Sequence, residues 1–593
     1  MKHKNKNKPA ETGVNHILWI KQIYGERRWL IILLLFLTLL SSAVAVIYPY
    51  LSMKLIDSIQ RLLQNPGTEN PMTEIHSLLM VFVAVGLAEL VSAFFPSLRG
   101  MTNNIFEHII RMKYFGKIMQ KDHDFFASFS SGDIVTRLTD DLNGFPKLAW
   151  FLCSGIFRAV EALSKVLFCL TAMFLIHPVL TLYSLIPLPI MIAIFYITQD
   201  RIYDTFQKNQ EAISDTNSRL EMSFSGARII KAYASEEKYR RFFRETLEIR
   251  KTTELASARL EIILHLIYMN IDYVAQAGIV FAGGIMAVMG KISIGTFYAF
   301  YTYLLMLIYP ILNIPQLFVS GKRAFVNIDR LEELAAFPHK AKAEQPVEIG
   351  EIGNISCKNV SFKYKSRDKN ALSSVSFTVN KGEKLGIIGP VGSGKTCILK
   401  LLLGLLSPDE GSVLVNGHDI KLVDMAGYRG KLAYVPQEPL LFSGTLRENV
   451  DFGSAETSDE LFMQAVEAAQ ISDEIAEFSL GQNTVIGQRG VSLSGGQKQR
   501  MAIARAVAKK ATLYIFDDIT ASLDAANEDR LMGSLQEMSK DLSFIIVSHR
   551  LSTLQYVDKV AFMDNGRLVG IGSHEELLAN PHYRDYLKDS LKN

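Results

Sequence analysis

The octapeptide GPVGSGKT carries the densest chemistry in this 593-residue chain. It contains Gly389, Pro390, Val391, Gly392, Ser393, Gly394, Lys395 and Thr396, and lies between the apolar run KLGIIG and the helical pattern CILKLLLGLL. Strand, glycine-rich loop and helix in that order make the setting of a P-loop. Glycines let successive backbone N–H groups curve around phosphate, and the following helix adds positive potential at its N-terminus. Lys395 can reach the β and γ phosphates of a triphosphate, and the Thr396 hydroxyl can hold Mg²⁺. A second apolar run, TLYIFDD, ends in Asp517 and Asp518. A carboxylate at the end of a strand beside a P-loop is placed to engage that Mg²⁺. Strands often end in Asp, so this second motif gains its weight from the first.

The elements around these motifs read as a soluble α/β unit. ISCKNVSFKY and LSSVSFTV have the β-branched and aromatic content of strands, and AAFPHKAKAEQPVEIGEIG ahead of them reads as a linker. The first half is different. Six stretches approach the roughly 20 apolar residues that span a bilayer: Trp29–Tyr48, Ser77–Ser97, Trp150–Ile176, Val179–Ile197, Ile262–Val288 and Ser293–Val319. A buried helix of a soluble core explains any one of them but not all six. The expected division is a cytoplasmic segment at 1–28, a membrane domain at 29–334, a linker at 335–352 and a nucleotide-binding domain at 353–593. The fold class is multidomain: a six-helix transmembrane domain followed by an α/β P-loop NTPase cassette.

Composition agrees with a two-part chain. It is 49% hydrophobic and 21% charged, with mean hydropathy +0.15, too apolar for an ordinary soluble enzyme and too charged for a wholly embedded protein. A net charge of +3 gives no reason to expect nucleic acid. The first 28 residues hold seven Lys or Arg, whereas 49–76 holds only Lys54 and Arg61. The positive-inside rule therefore places the N-terminus, the basic loops 99–149 and 198–261, and the C-terminus in the cytoplasm. Both loops are rich in helix formers, so membrane helices are expected to continue into the cytoplasm as rods. The N-terminal MKHKNKNKPAETG lacks the layout of a cleaved signal, and the first span is expected to stay as an anchor. Cys153, Cys169, Cys357 and Cys397 show no metal-ligand spacing and read as reduced residues. Glu89, Arg158, Glu161, His265, Asn270, Asp272 and Asn313 fall inside apolar spans. Such groups face a bundle interior or cavity. They either line a substrate path, with Asn270 and Asp272 the preferred pair, or pack polar groups between helices.

LSGGQ, Leu493 to Gln497, continued by KQRMAIARAV, completes a set with the P-loop and TLYIFDD that resembles the ATP-binding cassette family. The resemblance extends over nearly the whole chain and is of the exporter type; DHDFFASFSSGDIVTRLTDDL resembles the family's first cytoplasmic loop. It implies ATP and Mg²⁺ as ligands and two cassettes closing over shared nucleotide. Ser494, Gly495, Gly496 and Gln497 would cover the γ-phosphate held by the opposite subunit's P-loop. Tyr364 resembles the aromatic residue that stacks on adenine, though an ordinary strand aromatic is the alternative. Gln437 resembles the glutamine that senses Mg²⁺ or the attacking water, with Thr396 and Asp517 as the other metal ligands. Asp524 resembles the aspartate that crosses the dimer interface, and His549 the switch histidine on the γ-phosphate. GQRGVSLSGGQ, from Gly487, includes a segment expected near the cytoplasmic loops. Regions around Phe125–Asp133 and Glu211–Arg219 would carry the motion to the bundle.

One position departs from the family pattern. The residue after the strand aspartate is usually Glu, acting as general base; here it is Asp518. Its side chain is shorter by about 1.5 Å, and misplacement of order 1 Å can cost about a hundredfold in rate. A slow site with an intact LSGGQ resembles the Asp-Asp subunit of bacterial heterodimeric exporters, which pairs with a subunit carrying Glu. The expected function is ATP-driven export of amphipathic small molecules, drugs or lipids, from the cytoplasmic membrane. The alternatives are a homodimeric lipid or peptide exporter, and an ATP-gated channel or regulatory membrane subunit. Expected partners are a second half-transporter, the amphipathic substrate and membrane lipids.

Overall fold

Apolar runs of the first half fold as long helices in the computed structural model, which describes residues 14–64, 71–143, 147–312, 314–338, 345–364, 369–453, 457–487, 493–520, 525–538 and 542–590. Two units are present, Met1–Lys121 with Ser128–Pro338, and Asp122–Ala127 with His339–Asn593.

The membrane unit contains α1 (Arg28–Gln64), α2 (Pro71–Ser92), α3 (Phe95–Met119), α4 (Ile156–Ile176), α5 (Pro178–Leu185), α6 (Pro187–Ser225), α7 (Glu236–Val288), α8 (Ile294–Leu312) and α9 (Ile314–Ala336). Their boundaries follow proline. Pro96 and Pro178 each occupy the first turn of a helix, where a missing N–H costs nothing. His177 caps α5 by accepting from the Leu180 N–H at 3.2 Å. Among the described residues five helical stretches are long and apolar enough to cross a membrane: Arg28–Gln64, Ile75–Met119, Leu148–Ile176, Pro178–Ser225 and Glu236–Val288. The expected sixth, Ser293–Val319, takes in α8 and the start of α9, and the apolar stretch Ile294–Leu307 falls within it. Pro310 lies inside α8, and Asn313 lies outside the described residues. The rod-like extensions expected from the basic loops are present as α6, of 39 residues, and α7, of 53.

Polar groups in the spans fall into distinct settings. Glu161 accepts from Arg99 at 2.9 Å and from Lys165 at 2.8 Å, a shared ion pair that needs no ligand. Arg158 lies over the Trp150 ring at 5.7 Å, and Glu89 and His265 are exposed on the single chain. Asn270 and Asp272 do not share a face. Two residues along a helix turn by about 200°; Asp272 is buried, and Asn270 is exposed beside an apolar recess with Tyr183 and Val274. At the other end of the bundle, Asp57 accepts from the Gly295 N–H at 3.0 Å and from Ser293 Oγ at 2.9 Å. A Cβ at Gly295 would lie 2.3 Å from the Met53 carbonyl oxygen, so only glycine lets α8 start this close to α1.

The cassette unit is built on two sheets. Strands β1 (Asn354–Phe362), β2 (Leu372–Asn380), β3 (Lys384–Ile388), β4 (Glu410–Val415), β5 (Leu432–Val435), β6 (Leu513–Asp517), β7 (Ser543–Val547), β8 (Lys559–Asp564) and β9 (Arg567–Gly572) supply most of them. The antiparallel sheet runs β2-β1-β4 and then His418–Asp419; the larger sheet runs β9-β8-β3-β7-β6-β5. Strands β3, β5, β6, β7 and β8 are parallel and almost wholly buried, as sheets covered on both faces must be. Helices α10 (Lys395–Leu402), α11 (Gly495–Ala508) and α12 (Ala525–Met538) follow the P-loop, the LSGGQ segment and the TLYIFDD region.

Candidate functional site

Sheet order explains how distant motifs meet. Val547 of β7 pairs with Ile387 of β3 on one side and Asp517 of β6 on the other. The P-loop, the Asp517–Asp518 pair and His549 therefore leave the sheet at adjacent carboxyl ends, where open α/β sheets bind ligands.

The P-loop conformation is dictated by its glycines. Gly389, Gly392 and Gly394 have φ of 150°, 82° and 102°, which side-chain-bearing residues rarely adopt. A Cβ at Gly389 would stand 2.0 Å from the Met563 carbonyl oxygen. Lys395 is folded back on the loop, its Nζ donating to the Gly389 and Pro390 carbonyls at 2.8 and 2.9 Å. Burial pushes this ammonium down to about 8, against the pull of Asp518 and Asp517. Among the described residues Ser393 Oγ is buried with no hydrogen-bond partner, an acceptor and donor inside the loop. Thr396 Oγ1 donates to Asp517 Oδ1 at 3.3 Å, so a hydroxyl and a carboxylate converge as a divalent cation requires. Burial raises the Asp517 carboxyl, although the Thr396 hydroxyl counteracts this. These groups fit a magnesium-bound triphosphate.

Asp518 sits in the left-handed region at φ 51°, and its N–H donates to the Val547 carbonyl at 2.9 Å. Asp is among the residues that tolerate this conformation. His549 is half-buried; burial and then the Lys395 charge lower its pKa, and Asp518 opposes them.

A charged Lys395 favours a triphosphate, and a bound triphosphate in turn holds the proton on Lys395. The direction for pH follows: binding is full below about pH 8 and weakens above it, with a proton taken up on binding there. ATP affinity measured by calorimetry is expected to be about tenfold weaker at pH 9 than at pH 7. A flat profile would remove Lys395 as the titrating contact.

The description "ABC transporter transmembrane region" matches residues 31–311, and "ABC transporter" matches 372–521. "Multidrug resistance-like ATP-binding protein MdlA" of Escherichia coli (strain K12) is 30% identical over 80% of this chain and 80% of its own. The "Probable multidrug resistance ABC transporter ATP-binding/permease protein YheI" of Bacillus subtilis (strain 168) is 33% identical over 80% of this chain and 81% of its own. This chain belongs to the ABC transporter family. A solved structure of a bacterial Atm1-family ABC exporter with ATP bound shares the fold, with TM-score 0.80, 22% identity, and 95% and 98% of the two chains covered. This ABC transporter is thus a multi-pass membrane protein of exporter architecture whose ATPase is coupled to transport.

Other residues singled out in this ABC transporter lie away from the P-loop row. Tyr364 follows β1, half-buried against the cassette core, its ring edge-on to Phe362 at 4.9 Å. With Lys363, Asn370 and Asp409 it lines a recess of about 340 Å³. Gln437 is exposed just beyond β5, where Gln499 donates to the Pro436 carbonyl at 3.4 Å. Ser494 caps α11: its Oγ accepts from the Gln497 N–H, and Gln497 Oε1 accepts from the Ser494 N–H at 2.9 Å. Gln497 is therefore locked into a capping box, while Ser494 and Gly495 are exposed and Gly496 is partly so. Among the described residues no hydrogen bond or ion pair joins Leu493–Gln497 to Gly389–Thr396. Asp524, and Gln488–Ser492 of the segment starting at Gly487, lie outside the described residues.

Reading the sequence missed Glu528. This residue of α12 is almost fully buried, pairs with Arg550 at 2.6 Å and accepts from Ser552 Oγ at 2.9 Å. It anchors the segment that carries His549. An acidic residue four places after Asp524 and an arginine next to His549 were visible, but nothing local paired them.

Proposed function

We propose that this ABC transporter is one half of a heterodimeric exporter of amphipathic small molecules, contributing a slow ATP site of its own and a sound LSGGQ to its partner. Asp518 in the base position beside an intact Ser494–Gln497 segment carries this reading. Residues 29–334 form the membrane domain, 335–352 the linker and 353–593 the cassette. The multidrug names of both relatives support drugs as the transported class.

Each residue has a distinct task in this scheme. Loop N–H groups, Ser393 Oγ and Lys395 hold the triphosphate, and Tyr364 stacks on the base. Thr396, Asp517 and Gln437 hold Mg²⁺, which screens phosphate charge when bound. Asp518 receives a proton from the attacking water, and His549 steadies the γ-phosphate oxygens. Asp518 hydrolyses slowly because its carboxylate stops short of the water. Ser494, Gly495, Gly496 and Gln497 face the partner's nucleotide, with Asp524 at the joint. The exposure of Ser494 and Gly495, and the lack of bonds among the described residues from Leu493–Gln497 to this chain's P-loop, support a site shared between chains.

Native mass spectrometry of the complex extracted from its own membrane tests the pairing. One 66.4 kDa chain with one unlike chain of similar size is the expected composition. A complex of two identical chains would replace it with the homodimer reading.

A further inference from the structure

Asp272 lies in the apolar part of α7, about 24 Å along the helix from Val288. It is 6% exposed. Its Oδ2 accepts from Gln276 Nε2 at 2.7 Å, and Gln276 Oε1 accepts from the Tyr301 hydroxyl of α8 at 3.4 Å. Its Oδ1 is buried with no hydrogen-bond partner among the described residues. Among the described residues no ion pair reaches this carboxylate. Residues 262–288 of α7, residues 187–197 of α6, and all of α5 and α8 contain no Lys or Arg. The other titratable residues on these stretches are Tyr183, Tyr196, His265, Tyr268, Tyr273, Tyr298, Tyr301, Tyr303 and Tyr309, and His265 lies on the exposed side.

An amide would have met every structural need visible here. Asparagine has nearly the same volume and would still accept from Gln276, joining α7 to α8 without a charge in the bilayer. A carboxylate withdrawn from water is retained where a cation visits it, and the surrounding helices supply none. We propose that Asp272 Oδ1 receives the protonated amine of a cationic amphiphile during export. The exported molecules then include organic amines. This rests on the export reading above and narrows its substrate class.

Daunorubicin, which carries a protonated amine, and N-acetyldaunorubicin, which does not, form a matched pair of probes. ATP-driven uptake of each into inverted vesicles holding the complete complex is measured for wild type, Asp272→Asn and Asp272→Glu, with assembly of each variant confirmed by native mass. Wild type is expected to prefer the amine. In Asp272→Asn the concentration of daunorubicin for half-maximal uptake should rise about tenfold, the loss of one buried charge contact, with the acetylated compound unmoved. Asp272→Glu should keep the preference. Equal shifts for both probes, or none for either, would overturn the ammonium contact. Wild-type uptake of the acetylated compound alone overturns the contact and leaves export standing. Uptake of neither, with ATP hydrolysis intact, overturns both.

Discussion

Exchanging Asp518 for glutamate is expected to raise the steady-state ATPase of the purified complex by about ten- to a hundredfold per site. The added methylene extends the carboxylate by about 1.5 Å, toward the water that the proposed mechanism holds at the γ-phosphate. The backbone sets a small opposing cost. Asp518 has φ 51°, where glutamate is less comfortable than aspartate by a fraction of the 1–2 kcal/mol that left-handed geometry costs an L-residue, roughly. A ten- to hundredfold gain, about 1.4–2.7 kcal/mol in the transition state, exceeds it. Unchanged or slower turnover would show that side-chain length does not limit this site. The companion change, Asp518→Ala, separates the two assemblies. In a heterodimer the partner's glutamate still does most of the hydrolysis and the rate should barely move. In a homodimer both bases vanish and the rate should fall by about 10²–10⁴.

Lys395→Ala should abolish labelling of this chain by a photoactivatable ATP analogue. Removing a buried cation from its phosphate partner costs about 2–5 kcal/mol, roughly thirtyfold or more in affinity. Lys395 also bonds the Gly389 and Pro390 carbonyls, so the loop itself relaxes in the variant and adds to the loss. Undiminished labelling would mean that another group anchors the triphosphate.

These two residues were legible for different reasons. Lys395 belongs to eight consecutive residues whose glycine spacing states a backbone geometry, and the φ values of Gly389, Gly392 and Gly394 match that statement. Asp517 and Asp518 were legible as the end of an apolar strand. Their closeness to His549 was not, because it depends on β7 lying between β3 and β6, an order that no run of residues encodes locally. The Glu528–Arg550 pair was hidden for the same reason. In the membrane half, apolar length predicted spans, yet composition does not tell which side of a helix meets its neighbour. Asn270 and Asp272 therefore read as companions until the 3.6-residue turn separated them. Asp518's left-handed backbone had no sequence signal beyond the residue type's tolerance for it.

Helix α7 holds one further lesson. Its 53 residues contain no proline, unlike α1 with Pro49, and at 1.5 Å per residue it is about 80 Å long. A stiff shaft of that length behaves as a lever: a swing of about 5° at one end displaces the other by about 7 Å, by the same length. The cytoplasmic arm can thus command the depth of the bilayer by leaning, with no proline joint along the shaft to absorb the stroke.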